Sequence, residues 1–141
     1  MRIQDVMTDQ IVSIAPDADV ADARQKLRMN DIRHLVVIEN HQAIGVISDR
    51  DLADRRDDAR VSEVMTRSVA TIAPRATLRQ AAGKMEGRTI GCLLVIDRGK
   101  VAGIVTTSDL LRALAKGTHP ARSPERFILS KRGPRKRPVP I

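Results

Sequence analysis

Aromatic residues are almost absent: there is one Phe (Phe127), no Trp and no Tyr in 141 residues. Any flat ligand must therefore be held by aliphatic side chains and backbone, because stacking on aromatic rings is excluded. Cysteine occurs once, as Cys92. One thiol forms no intrachain disulfide, and a zinc site built on several thiolates is excluded. Such cysteine usage fits a reducing, cytoplasmic setting. The opening residues, Met1-Arg2-Ile3-Gln4-Asp5, hold no apolar stretch long enough for a signal peptide or a membrane span, so no membrane insertion is expected. Acidic residues are scarce only at the C-terminal end. Residues 117–141 carry seven Lys/Arg and a single acid, Glu125, which places +6 of the formal +8 there.

What is present is an aliphatic core set and a duplication. Apolar residues make up 42% of the chain, enough for a buried core. Shifted by 58 positions, the sequence matches itself without a gap. Val6-Met7-Thr8 falls on Val64-Met65-Thr66, and Ile14-Ala15-Pro16 on Ile72-Ala73-Pro74. Ile32 falls on Ile90, Val37-Ile38 on Val95-Ile96, Gly45 on Gly103, and Asp51-Leu52 on Asp109-Leu110. The expected organisation is a first repeat over 1–58, a second over 59–116, and a basic, Pro-rich tail over 117–141, disordered or extended.

Each copy reads as a βαββα unit, an α/β (α+β) pattern. A short extended segment ends at Pro16 or Pro74. An apolar series at helical spacing follows: Val20, Ala23 and Leu27, then Leu78, Ala81, Ala82 and Met85. Asp17 or Asp19, and Thr77, are the candidate N-caps. The β-rich runs are His34–Glu39 and Ala43–Ser48, with Cys92–Asp97 and Val101–Thr106 in the second copy. Hairpin turns lie between them at 39–42 and 97–100. A last helix begins near Asp49 and near Thr107, and Asp54–Arg60 is a charged connector. One helix and a small sheet bury too little apolar surface alone. Two copies packed sheet to sheet, with pseudo-two-fold symmetry and two equivalent clefts between them, are the expected solution.

Each copy resembles a CBS domain, and the pair resembles a stand-alone CBS-domain pair, or Bateman module, over roughly residues 3–115. The resemblance rests on Asp5-Val6-Met7-Thr8 and Glu63-Val64-Met65-Thr66, on the Ile32–Val37 strand, and on a closing signature, Gly-apolar-x-Ser/Thr-x-x-Asp. The signature reads Gly45-Val46-Ile47-Ser48-Asp49-Arg50-Asp51 and Gly103-Ile104-Val105-Thr106-Thr107-Ser108-Asp109. It implies a regulatory module that senses an adenine nucleotide (AMP, ADP, ATP or a related adenosyl ligand) and signals through a partner, commonly as a homodimer.

The signature sets a hydroxyl at a strand end and a carboxylate three residues on, in the first turn of a helix. A carboxylate accepts hydrogen bonds from vicinal hydroxyls and so reads a ribose. The resemblance implies that role for Asp51 and Asp109, with Ser48 and Thr106 near sugar or phosphate. The base would sit among Ile14, Ile32, Ile72 and Ile90. The competing reading makes these acids helix caps. The first copy adds Arg33, His34 and Arg50 where the second has Gly91, Cys92 and Ser108, so its site is better equipped for phosphates. Ordinary surface pairing is the alternative for both arginines, and a strand histidine with a backbone partner for His34. No required cofactor, metal site or catalytic constellation is expected: there is no Ser/His/Asp elbow and no P-loop.

In the tail, Phe127-Ile128-Leu129 is an apolar cluster able to dock on the body or on a partner. Lys131–Arg137 is a basic run able to neutralise phosphates. The alternative to a nucleotide sensor is thus a ligand-free dimeric interaction module whose tail binds nucleic acid or an acidic protein. A solvated tail with no partner is the simplest case.

Overall fold

A computed structural model of the chain describes residues 1–116. The architecture is mixed α and β, with two three-stranded sheets. In the first, β1 (Ser13–Ile14) lies parallel to β2 (His34–Glu39), and β2 pairs antiparallel with β3 (Gln42–Ser48). In the second, β4 (Thr71–Ile72), β5 (Cys92–Asp97) and β6 (Lys100–Thr106) repeat the arrangement. His34 faces Ser48 and Cys92 faces Thr106, and the register slips between Val37 and Ile38 and again between Val95 and Ile96. The 58-residue period of the sequence is therefore also the period of the hydrogen-bond register, irregularity included.

β3 and β6 each begin one residue before the expected runs, at Gln42 and Lys100. The turns are tighter than four residues. Asn40 and His41, and Arg98 and Gly99, take positive φ, the geometry of a two-residue hairpin loop whose twist matches the strands. Pairing can then start at Glu39 with Gln42 and at Asp97 with Lys100.

The main helices are α2 (Val20–Asn30) and α5 (Leu78–Arg88). Asp19, rather than Asp17, caps α2 by accepting from the Asp22 amide at 2.9 Å. Thr77 caps α5 reciprocally with Gln80. Val20, Ala23 and Leu27 are buried on α2, as are Ala81 and Met85 on α5. Ala82 is exposed, so the inward stripe of α5 is narrower than its apolar spacing implies. Two further helices follow the second hairpin strand of each copy: α3 (Asp49–Leu52) and α6 (Thr107–Lys116). No helix among the described residues is long and apolar enough to cross a membrane.

Two one-turn helices open the repeats, α1 (Ile3–Val6) and α4 (Val61–Val64). Each belongs to the compact unit built around the other repeat's sheet. Among the described residues, one unit is Gln10–Val69; the other joins Met1–Asp9 to residues 70–116. In the second, the amides of Ile3 and Gln4 donate to the carbonyls of Ala76 and Pro74, both at 2.9 Å, and Thr8 bridges Ile104 as an added edge. In the first, Val61 and Ser62 donate to Ala18 and Pro16, and Thr66 bridges Val46. Ile3 and Val61 are fully buried, each inside the core of the unit it joins. The sequence repeats and the compact units are thus offset by these leading segments.

Candidate functional site

Both closing signatures fold the same way locally. In the Gln10–Val69 unit, Ser48 ends β3 and caps α3. Its hydroxyl accepts from the Asp51 amide at 3.2 Å, and Asp51 Oδ2 accepts from the Ser48 amide at 2.9 Å. The spacing that suggested a ligand site also makes a reciprocal cap. Among the described residues Asp51 Oδ1 accepts no hydrogen bond, and the side chain is half-buried. His34 lies directly opposite Ser48 in the register, so the two side chains share a face of the strand pair. Arg50, one residue before Asp51, is exposed.

In the other unit Thr106 and Asp109 form the same cap, with the Asp109 amide on Thr106 Oγ1 at 3.2 Å and the Thr106 amide on Asp109 Oδ2 at 2.8 Å. Two contacts are added. The Thr106 hydroxyl donates to Asp109 Oδ2 at 3.1 Å, and Arg112 Nη1 donates to Asp109 Oδ1 at 3.0 Å. Asp109 is the one charged residue buried among the described residues, at 7% exposure. Cys92 occupies the position of His34, opposite Thr106.

The four isoleucines are separated from these polar groups in character. Ile14 and Ile72 sit on β1 and β4 and are buried in the two cores, while Ile32 and Ile90 pack against those cores partly exposed. Ile32 and Arg33 border an open groove of about 450 Å³ in the Gln10–Val69 unit. Arg24 and Arg28 of α2, Asp31, Asp49 and Leu52 also line it. Arg24 is held there by Asp57 and by the carbonyls of Leu52 and Arg55. Arg24 and Arg28 were not picked out by the signature, because their second-copy counterparts are Ala82 and Glu86. No group of three or more His, Cys, Asp or Glu side chains among the described residues is placed to hold a metal ion.

This duplicated fold, with its paired Ser/Thr-x-x-Asp caps, is that of the CBS domain. The CBS domain family matches residues 3–58 and 61–116, and the chain belongs to it. It is 32% identical over 119 residues to an L-aspartate semialdehyde sulfurtransferase of Methanosarcina acetivorans, covering 81% of this chain and 24% of that protein. The chain thus spans about a quarter of that relative's length. Among solved structures it resembles the CBS domain pair of protein MJ0100 in complex with 5-methylthioadenosine and S-adenosyl-L-methionine. That likeness has a TM-score of 0.75 at 25% identity, over 81% of this chain and 99% of that one. It also resembles the cytosolic domain of the Mg2+ channel MgtE in complex with ATP, with a TM-score of 0.65 at 27% identity, over 77% of this chain and 46% of that one.

Proposed function

We propose that the chain is a regulatory module that binds an adenine nucleotide or related adenosyl ligand, with Asp51 accepting the ribose hydroxyls, and that it signals through a partner rather than catalysing a reaction. The carrying observation is the state of Asp51: a half-buried carboxylate, fixed through Oδ2 by the Ser48 amide, with Oδ1 accepting no hydrogen bond from the described residues, and with His34 opposite Ser48 in the strand register. A preorganised acceptor of this kind suits a vicinal diol. Arg50 and Arg33 supply positive charge for the phosphates. The MJ0100 pair in complex with 5-methylthioadenosine and S-adenosyl-L-methionine, and the MgtE domain in complex with ATP, resemble this chain, which supports the ligand class.

Calorimetric titration of AMP, ADP and ATP into the full chain at near-physiological salt tests this. Saturable binding is expected, weakened about a hundredfold by Asp51→Ala, since two hydrogen bonds to a charged group are lost. Absence of saturable binding with all three nucleotides overturns the reading for them.

A second reading concerns the other partners. Leu111 and Leu114, one turn apart on α6, are 61% and 71% exposed, which favours pairing of the chain with a second copy of itself. The seven Lys/Arg of residues 117–141 lie outside the described residues. Their charge favours a polyanion, nucleic acid or an acidic protein, as an additional partner.

A further inference from the structure

The two signature carboxylates have the same backbone setting and different free capacity. A carboxylate offers about four lone-pair sites, and two vicinal hydroxyls need two of them. Among the described residues, Asp51 has one in use, by the Ser48 amide. Asp109 has three in use, by the Thr106 amide, the Thr106 hydroxyl and Arg112. The Thr106 hydroxyl proton is committed as well, whereas the Ser48 hydroxyl makes no such donation to Asp51. Arg112 is the difference that matters most. It lies one turn along α6 from Asp109 and makes an ion pair whose carboxylate side chain is 8% exposed. The residue at the matching place in the first copy is Asp54, which has no positive charge to offer.

We propose that Arg112 closes the second signature to ribose, so that the chain holds one nucleotide, at Asp51, and Arg112 determines that stoichiometry. The proposal rests on the nucleotide reading above. A ribose arriving at Asp109 finds about one open lone-pair site, so it must displace Arg112 from a nearly buried carboxylate. At Asp51 no described side chain has to be displaced. The duplication therefore supplies two copies of one site, and a single arginine on α6 makes them unequal.

The test is calorimetric titration of AMP into the full chain, unaltered and as Arg112→Gln, Arg112→Lys and the double variant Asp51→Ala/Arg112→Gln, each first checked by its melting curve. The expected stoichiometry is one for the unaltered chain and for Arg112→Lys, which keeps a cation beside Asp109. It is two for Arg112→Gln. The double variant retains one site, at least about tenfold tighter than any residual binding in Asp51→Ala alone, the weight of one charged hydrogen bond. Two equivalents on the unaltered chain, or one on folded Arg112→Gln, overturn this inference and leave the nucleotide reading standing. No binding to any of these chains overturns both.

Discussion

Gly45 and Gly103 show what the signature glycine does. A Cβ on Gly103 would sit 2.6 Å from the Thr8 carbonyl oxygen and 2.9 Å from Met7 Sδ; one on Gly45 would sit 2.8 Å from both the Thr66 carbonyl oxygen and Met65 Sδ. The methionine tip can yield. The carbonyl is fixed, because the Thr8 and Ile104 backbones exchange hydrogen bonds at 2.9 Å in both directions. The glycine is thus the bare patch on which a Val-Met-Thr segment lies, which links Gly45 to Met65 and Gly103 to Thr8, 20 and 95 positions apart in the sequence, with no local cue. Gly103→Ala is expected to destabilise by about 1–3 kcal/mol, the usual cost of overpacking. Gly83, inside α5, has nothing within 4 Å of its Cβ position. Gly83→Ala should therefore stabilise by about 0.5–1 kcal/mol through helix propensity. Urea midpoints of the two variants, read against the parent, check both signs in one experiment.

At the scale of elements, the repeat made the strands, main helices and hairpins legible, because each is set by local pattern and every pattern occurs twice. Register was not read from the sequence: Leu35, Val36 and Val37 are all buried, so no alternation marks one core face, and the slip between Val37 and Ile38 has no local cue. The one-turn helices α1 and α4 escaped the reading. Four residues are too few to show a 3.6 period. Their exchange between units was hidden for a stronger reason: Val6-Met7-Thr8 and Val64-Met65-Thr66 are the same words, so nothing local tells either copy which sheet it packs on. The lock on Asp109 was hidden in plain view. Asp109 and Arg112 have ordinary i,i+3 spacing, but the signature directs attention to what Asp109 might bind, not to what already binds it. The exchange carries a consequence for Ile3, fully buried in the core that contains Ile72, Leu93 and Val105. Ile3→Ala should cost about 2–5 kcal/mol, as a cavity in that core. Hydrogen exchange should then quicken in β5 and β6, which begin 89 positions after Ile3, more than in β2 and β3. Faster exchange confined to β2 and β3 would contradict the assignment of the leading segment.

At the scale of the whole molecule, charge separates two kinds of anion binding that a single titration would confuse. Residues 117–141 hold +6 of the formal +8, so the remaining 116 residues are close to balanced. A nucleotide held at Asp51 is read by hydrogen bonds from its ribose to a fixed carboxylate, and a monophosphate brings little charge. Its affinity should change only a few-fold between low and physiological salt. A polyanion held by the basic segment releases counterions for each phosphate neutralised. With up to seven cations engaged on duplex DNA, the slope of log K against log salt should approach about −6. Ending the chain at Lys116 should abolish the second kind of binding and spare the first. AMP and a short DNA duplex, titrated into both chains at several salt concentrations, make the distinction. Steep salt dependence for AMP, or its loss with the basic segment, would move the nucleotide from Asp51 to the tail. A shallow slope for DNA would remove the electrostatic basis for a nucleic-acid partner. Light scattering on the same samples measures mass against 15.5 kDa for one copy, and a doubled mass that survives truncation assigns self-pairing to residues 1–116, where Leu111 and Leu114 are exposed.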